Sequence, residues 1–171
     1  MRLLEERHAA TVFALIDQDR QHLRTWLPFV DATLVEDDTL SFIRFSLEQF
    51  AANEGLTAGI WSGGSFSGVV GTRKIDWINR RVEIGYWLGK SFEGQGIMTD
   101  CCRAMVDHLF NELDLNRVEI QSAVGNARSA AVAKRLKFTL EGKRRQAELV
   151  NGEFLDLLMF SMLKSEWHIS R

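Results

Sequence analysis

The chain is predicted to be an α/β protein, a single mixed sheet of roughly six or seven strands flanked by about four helices. Three observations carry that prediction. Around residues 82–112 an alternating strand pattern runs through paired glycines into a helical pattern. Two tight-hairpin signals, Ser62-Gly63-Gly64-Ser65 and Val150-Asn151-Gly152-Glu153, each separate strand-like segments. The first third, in contrast, has helical periodicity.

Composition sets the bounds. A chain of 171 residues, 46% hydrophobic, suits one domain spanning residues 1–171 with a core large enough to need no staples. One proline and no low-complexity tract indicate a chain folded throughout. The net charge of −2 points to no nucleic-acid partner and no membrane surface. Apolar runs fall well short of the ~20 residues that span a bilayer, and no signal peptide is expected. Cys101 and Cys102 are adjacent on a predicted helix and cannot join distant elements, so a reducing, cytoplasmic setting is expected.

In chain order, Leu3-Leu4 can finish a short edge strand, and Ala9, Val12, Phe13, Leu15 and Ile16 give the apolar face of a helix. Residues 20–29 form a short amphipathic helical stretch that stops before Pro28, because the residue preceding proline disfavours the α region. A third helix from about Asp37 to Ala52 carries Leu40, Phe42, Ile43, Phe45, Leu47 and Phe50. The period then changes. Thr57–Ser62 and Ser65–Ile78 are predicted strands around the first hairpin, and Asp76–Arg81 turns into a strand Val82–Leu88. Met98, Cys102, Met105, Val106, Leu109 and Phe110 predict a helix to about Glu112. Arg117–Val124 is a strand, and residues 126–138 a second such helical run. Thr139–Leu149 and Glu153–Leu163 form the last hairpin, whose final strand is apolar enough to be expected buried on both faces.

The stretch around Gly94 and Gly96 is the chemical centre of the sequence. A strand feeding a helix through glycines leaves the first helical N–H groups without partners, at the positive end of the helix dipole. That is an anion site suited to phosphate or pyrophosphate. No Gly-Lys-Ser/Thr follows, so a Walker-type nucleotide site is excluded. His8, His22, His108 and His168 are scattered without carboxylate or Cys partners at ligand spacing, so no metal is expected.

Loop, helix, strand, then an Asn-started helix ending in Phe resembles the acetyl-CoA site of the GCN5-related N-acetyltransferase (GNAT) superfamily. Glu83–Leu88, Glu93–Thr99 and Gln146–Glu153 resemble more narrowly its RimJ/RimL subgroup, whose members acetylate the N-termini of ribosomal proteins. The resemblance covers the chain from Leu3 to about Leu163 and implies the GNAT fold, with its central strand pair splayed. It also implies acetyl-CoA as co-substrate, and a protein N-terminus or a small amine as acceptor; the departures at Met98 and Ala133 leave a non-catalytic acyl-CoA-binding module as the alternative class. A homodimer is implied by the same resemblance, as is direct attack without a covalent enzyme intermediate.

Residue by residue, the family loop pattern Gln/Arg-x-x-Gly-x-Gly/Ala falls on Glu93-Gly94-Gln95-Gly96-Ile97-Met98 and departs from it at both ends. Gln95, Gly96, Ile97, Met98 and Thr99 are implied as amide donors to the pyrophosphate, with the Thr99 hydroxyl as a further donor. Glu93 places a carboxylate close to that anion. A Trp87 or Leu88 backbone N–H is implied to face the thioester carbonyl. Asn126 and Ser129 open the second helix; the resemblance assigns them to the coenzyme, with Ser129 as relay to the leaving thiolate. Many family members place a tyrosine at the position of Ala133, and the only tyrosine here is Tyr86. Two glutamates compete as base, Glu148 in the RimL-like run and Glu83 on the strand entering the loop, with Glu148 preferred. Trp26, Pro28, Phe29 and Phe45 are acceptor-pocket candidates, the alternative being that they fill the core. Arg128, Lys134, Arg135 and Lys137 read as a solvated helix face, the alternative being that they meet the coenzyme's phosphates, and Lys143-Arg144-Arg145 would attract an acidic protein.

Overall fold

The computed structural model describes residues 1–167. A minimal edge strand β1 (Arg2–Leu3) precedes α1 (Ala9–Gln18), the one-turn α2 (Arg20–Leu23) and α3 (Glu36–Ala51). Then follow β2 (Thr57–Ser62), β3 (Ser65–Thr72), β4 (Arg81–Leu88), α4 (Ile97–Asn111), β5 (Arg117–Ala123), α5 (Ala127–Arg135), β6 (Thr139–Val150) and β7 (Glu153–Leu163). The seven strands form one sheet in the order β1-β2-β3-β4-β5-β7-β6. All neighbours are antiparallel except β4 and β5, whose parallel pairing needs a crossover that α4 supplies. The expected mixed sheet with four longer helices is what folds.

Each face of the sheet is covered. Val82, Ile84, Val118, Ile120 and Phe160 pack under α4 and α5 with Met105, Leu109 and Phe110. Phe66 and Val69 pack on the opposite face with Val12 and Ile16 of α1 and Ile43 of α3. The β6–β7 turn has Asn151 and Gly152 at φ +52° and +81°, the two left-handed residues that a tight hairpin matching the strand twist requires. The Asn126 carboxamide accepts the Ser129 N–H at 3.1 Å and so starts α5.

Three expectations are corrected. The strand expected to reach Ile78 ends at Thr72. Beyond it the Asp76 carboxylate accepts the N–H and the side-chain amide of Asn79 at 3.0 and 2.7 Å, and this local turn competes with the ladder. The helical stretch at residues 20–29 stops at Leu23, and Pro28 instead opens a 3-10 turn, Pro28–Asp31. The last strand is not buried on both faces throughout: Phe154 is 63% exposed. Its pairing with β5 begins only at Leu157, with one further bond from the Val124 N–H to the Asp156 carbonyl, so residues 153–155 have β6 alone beside them in the sheet.

The central pair is held together for half its length. Arg81 to Ile84 of β4 stand beside Arg117 to Ile120 of β5, and beyond that the strands part. From there β4 stays with β3 as far as Leu88 opposite Gly68, while β5 stays with β7 as far as Ala123 opposite Leu157.

Gly68 keeps this arrangement close. A Cβ there would fall on the Trp87 carbonyl oxygen and 2.9 Å from Leu88 Cα. Gly68→Ala is expected to cost about 1–3 kcal/mol, as overpacked interiors do, measurable as a lower midpoint of thermal or denaturant unfolding.

Candidate active site

The loop between β4 and α4 is pinned from outside by Asp19, whose carboxylate accepts the Lys90 N–H at 2.6 Å. Gly96 then takes φ +82° and α4 begins, its first internal bond running from the Asp100 N–H to the Gly96 carbonyl at 3.1 Å. Among the described residues no acceptor serves the backbone N–H groups of Gln95, Gly96, Ile97, Met98 and Thr99. A Cβ at Gly94 or Gly96 would meet nothing within 4 Å, so the space over these amides is open. Five unserved donors at a helix start, with no side chain over them, make an anion cradle.

Charge around the cradle differs from the sequence reading. Glu93 does not stand free beside the anion site: it accepts from His22 Nε2 at 2.9 Å and is ion-paired with Arg128. Arg135 donates to the Thr99 hydroxyl at 2.6 Å, bringing a guanidinium to the helix start. Both arginines are exposed, as a solvated face requires, and both also line the cavity. Arg128 and Arg135 stand seven residues apart, two helical turns, and so on one side of α5, but only the packing of α5 beside α4 shows which partner each finds.

In the gap between β4 and β5, the antiparallel ladder decides which amides are free. The Arg73 N–H donates to the Glu83 carbonyl and the Gly89 N–H to the Ser67 carbonyl, both at 2.8 Å. Alternation between these two bonded pairs directs the Gly85 and Trp87 backbone groups to β3, and those of Tyr86 and Leu88 toward the gap. Of the two expected donors, the Trp87 amide is therefore occupied by the sheet and the Leu88 amide faces the opening. The Trp87 ring lies on the α1–α3 face, edge-on to Phe66 at 6.1 Å.

Sequence reasoning set Tyr86 aside, and the structure brings it to Ser129. The Ser129 hydroxyl donates to the Tyr86 oxygen at 3.3 Å, and the Tyr86 hydroxyl donates to the Ser129 carbonyl at 3.0 Å. Burial, with Cys102 nearby, pushes the phenol well above its ordinary value, so it stays protonated. The signal was in the alternation, which puts Tyr86 on the side of Ile84 and Leu88, under α5.

The two candidate bases are neighbours. Glu83 accepts from Arg73 Nε at 3.2 Å and from the Gln121 amide at 2.6 Å. Glu148 reaches the cavity because β6 bulges: Arg144 stands opposite Leu157, yet Glu148 opposite Leu155. Asp156 holds that bulge, accepting the Gln146 N–H at 2.9 Å and the Lys143 ammonium at 2.6 Å. Glu148 is half-buried, and among the described residues nothing hydrogen-bonds its carboxylate. Burial pushes its pKa above the ordinary carboxylate value; the Glu83 charge adds to this and Arg73 opposes it.

Glu83, Tyr86, Leu88, residues 96–99, Asn126, Ser129 and Glu148 line one cavity of about 1400 Å³, while Gln95 is not part of its lining. Trp26, Pro28 and Phe29 form part of its wall, with the Trp26 ring 3.1 Å from where a Gly125 Cβ would stand. Phe45 is 57% exposed and not part of the lining; Phe42, three residues earlier on α3, is. Among the described residues no group of three His, Cys, Asp or Glu is placed to hold a metal ion, and His168 lies outside them. No helix among them is long and apolar enough to cross a membrane.

The sequence profile described as "Acetyltransferase (GNAT) domain" matches residues 1–139. The chain belongs to the GNAT acetyltransferase family. It is 42% identical over 168 residues to YdaF of Bacillus subtilis (strain 168), provisionally named a ribosomal N-acetyltransferase, covering 98% of this chain and 92% of that one. The ribosomal-protein-serine acetyltransferase of Escherichia coli (strain K12) is 28% identical over 158 residues, 92% of this chain and 88% of the relative. Among solved structures, RimL, the ribosomal L7/L12 α-N-protein acetyltransferase in complex with coenzyme A, superposes with a TM-score of 0.91 at 30% identity, covering 95% and 92% of the two chains. MccE, the microcin C7 self-immunity acetyltransferase in complex with acetyl-CoA and AMP, gives 0.90 at 29%, covering 94% and 89%.

This GNAT chain is thus an N-acetyltransferase that uses acetyl-CoA. Its own residues fit that co-substrate: the unserved amides of residues 95–99 suit the pyrophosphate, and the unpaired edge of β4 suits an amide-bearing arm.

Gly96→Ala would force a side chain into a left-handed backbone, costing about 1–2 kcal/mol, and would set a methyl group over the cradle. Coenzyme A affinity, measured by calorimetry, is expected to fall about tenfold or more while the protein stays folded.

Proposed function

We propose that the protein acetylates the N-terminal α-amino group of a protein, of the ribosomal type with Ser or Ala first, by direct attack in a ternary complex. The observation that carries this reading is the half-buried Glu148, without a hydrogen-bond partner, beside Glu83 on the cavity wall. An α-ammonium has pKa ≈ 8 and must lose a proton before it can attack. Glu148 is the better base, because among the described residues nothing stabilises its charged form by hydrogen bonding. Glu83, held by Arg73 and Gln121, lies close enough for its charge to raise the basicity of Glu148. Acetyl-CoA supplies the activated acyl group. The Leu88 N–H is positioned to meet negative charge as it develops on the acyl oxygen, a fixed donor of the kind worth roughly 3–4 kcal/mol of barrier. Ser129, whose hydroxyl is held beside the Tyr86 oxygen, hydrogen-bonds the departing thiolate and relays to it the second proton that the attacking nitrogen sheds, so the serine ends the step neutral.

A small amine is the second reading. It is favoured by the likeness to MccE and by the aromatic wall of Trp26, Phe29 and Phe42. Thiol release from acetyl-CoA with a Ser-initiated peptide, a ribosomal stalk protein and a small-amine mixture separates the two. Turnover of peptide or stalk protein that is lost when its N-terminus is blocked supports the first reading. Turnover of small amines alone transfers the conclusion to the second.

Glu148→Gln is expected to lower kcat by about a hundredfold or more, the contribution of a general base, with coenzyme A affinity unchanged. Glu83→Gln tests the coupling. Loss of its negative charge lowers the pKa of Glu148, so the acidic limb of the rate–pH curve should move to lower pH. A limb that stays in place or moves upward would rule out this electrostatic role.

A further inference from the structure

On the α1–α3 face, Thr57, Gly71 and Gly85 stand directly opposite one another across β2, β3 and β4. They are in phase with Trp61, Val69 and Trp87, which pack on that face. The two glycines leave a floor without side chains, and a Cβ on Gly85 would meet nothing within 4 Å. One bonded pair along, the floor is bounded by Arg73 and Glu83, beside Glu148. It therefore leads to the carboxylates.

α3 supplies Thr39 and Phe42 to the same cavity. Thr39 is 2% exposed, and its hydroxyl is the buried side-chain polar atom left without a partner among the described residues. A helical Ser or Thr ordinarily returns its hydroxyl to the carbonyl four residues back. Ser46, on the same helix, does so, donating to the Phe42 carbonyl at 2.9 Å. Thr39 does not: the carbonyl four residues back, that of Val35, accepts the Asp38 N–H at 3.1 Å. A buried hydroxyl left unpaired destabilises the fold, and because Thr39 is among the residues lining the cavity, a polar group bound there against it would supply the missing partner.

We propose that Thr39, with Thr57 at the head of the glycine floor, hydrogen-bonds the side chain of the acceptor's first residue and selects a hydroxyl-bearing side chain over an aliphatic one. This rests on the N-terminal reading above. The α-amine then lies toward Glu148 while the peptide backbone crosses Gly85 and Gly71.

The test uses two peptides that differ only in Ser or Ala at position one, with the parent chain, Thr39→Val and Thr39→Ser. The parent is expected to favour the Ser peptide in kcat/KM by about tenfold, the effect of one buried hydrogen bond. Thr39→Val should remove that preference by slowing the Ser peptide alone, and Thr39→Ser should restore it. Coenzyme A affinity should not change, and the Thr39→Val melting temperature should hold or rise, since an unpaired hydroxyl is lost. Equal loss with both peptides, or a parent that does not discriminate, overturns this proposal and leaves the N-terminal reading standing. Turnover of small amines with neither peptide overturns both.

Discussion

Hydrogen bonding between β4 and β5 stops at Ile84 and Ile120, in the middle of a seven-stranded sheet. Backbone groups in such a place cannot be left dry without large cost, so the gap must be wet or filled. Both strands are held apart from outside. β3 keeps β4 in its ladder to Leu88, and the Gly89 N–H continues that ladder to the Ser67 carbonyl at 2.8 Å. β7 keeps β5 to Ala123, and the Val124 N–H then binds the Asp156 carbonyl at 2.9 Å. Closing the gap would break one of these outer ladders. The opening is therefore a property of the fold rather than of a mobile loop.

That gap divides the labour between the two faces of the sheet. Because side chains alternate along β4, Tyr86 and Leu88 look toward α4 and α5, where the anion cradle and Ser129 lie. Glu83 and Gly85 look toward α1 and α3, on the side of Phe42 in the cavity wall. In the proposed scheme this one eight-residue strand serves both partners of the transfer, with the Leu88 amide facing the gap between them.

Much of this was legible because it is local. The Asn-Gly turn, the two hairpins, the glycine loop and the Asn126 cap all declare themselves within a few residues. What escaped depends on partners far along the chain. Whether Glu93 stands near an anion as a bare charge depends on His22, 71 residues away, and on Arg128. Tyr86 meets Ser129 across 43 positions. Phe42 and Phe45 have equal claims in a helical pattern, and only the tilt of α3 over the sheet gives Phe42 the cavity. The third strand overran because Arg73–Ile78 lacks any breaker, while the Asp76 turn that ends it depends on Asn79. Glu148 was chosen by likeness, but the bulge that lifts it toward the cavity rests on Asp156 of the facing strand.

The pair Glu83 and Glu148 shows why position along a strand is a poor guide to which carboxylate is basic. Both face the same cavity, and by residue type they are equivalent. Glu83 has two hydrogen-bond donors, Arg73 and the Gln121 amide. Glu148 has none among the described residues, loses solvation to burial, and feels the neighbouring negative charge. Its ionised form is therefore the costlier one in the folded chain. By linkage, a carboxyl whose folded pKa lies above its unfolded value lowers stability as pH rises through that interval. In the proposed scheme the protein tolerates this because the same misfit raises the proton affinity that the α-ammonium requires. Arg73 limits the misfit: its guanidinium is bound to Glu83 yet still felt by Glu148, whose pKa it draws back down. Removing Arg73 would therefore act on both glutamates at once, freeing one oxygen of Glu83 and raising Glu148 further.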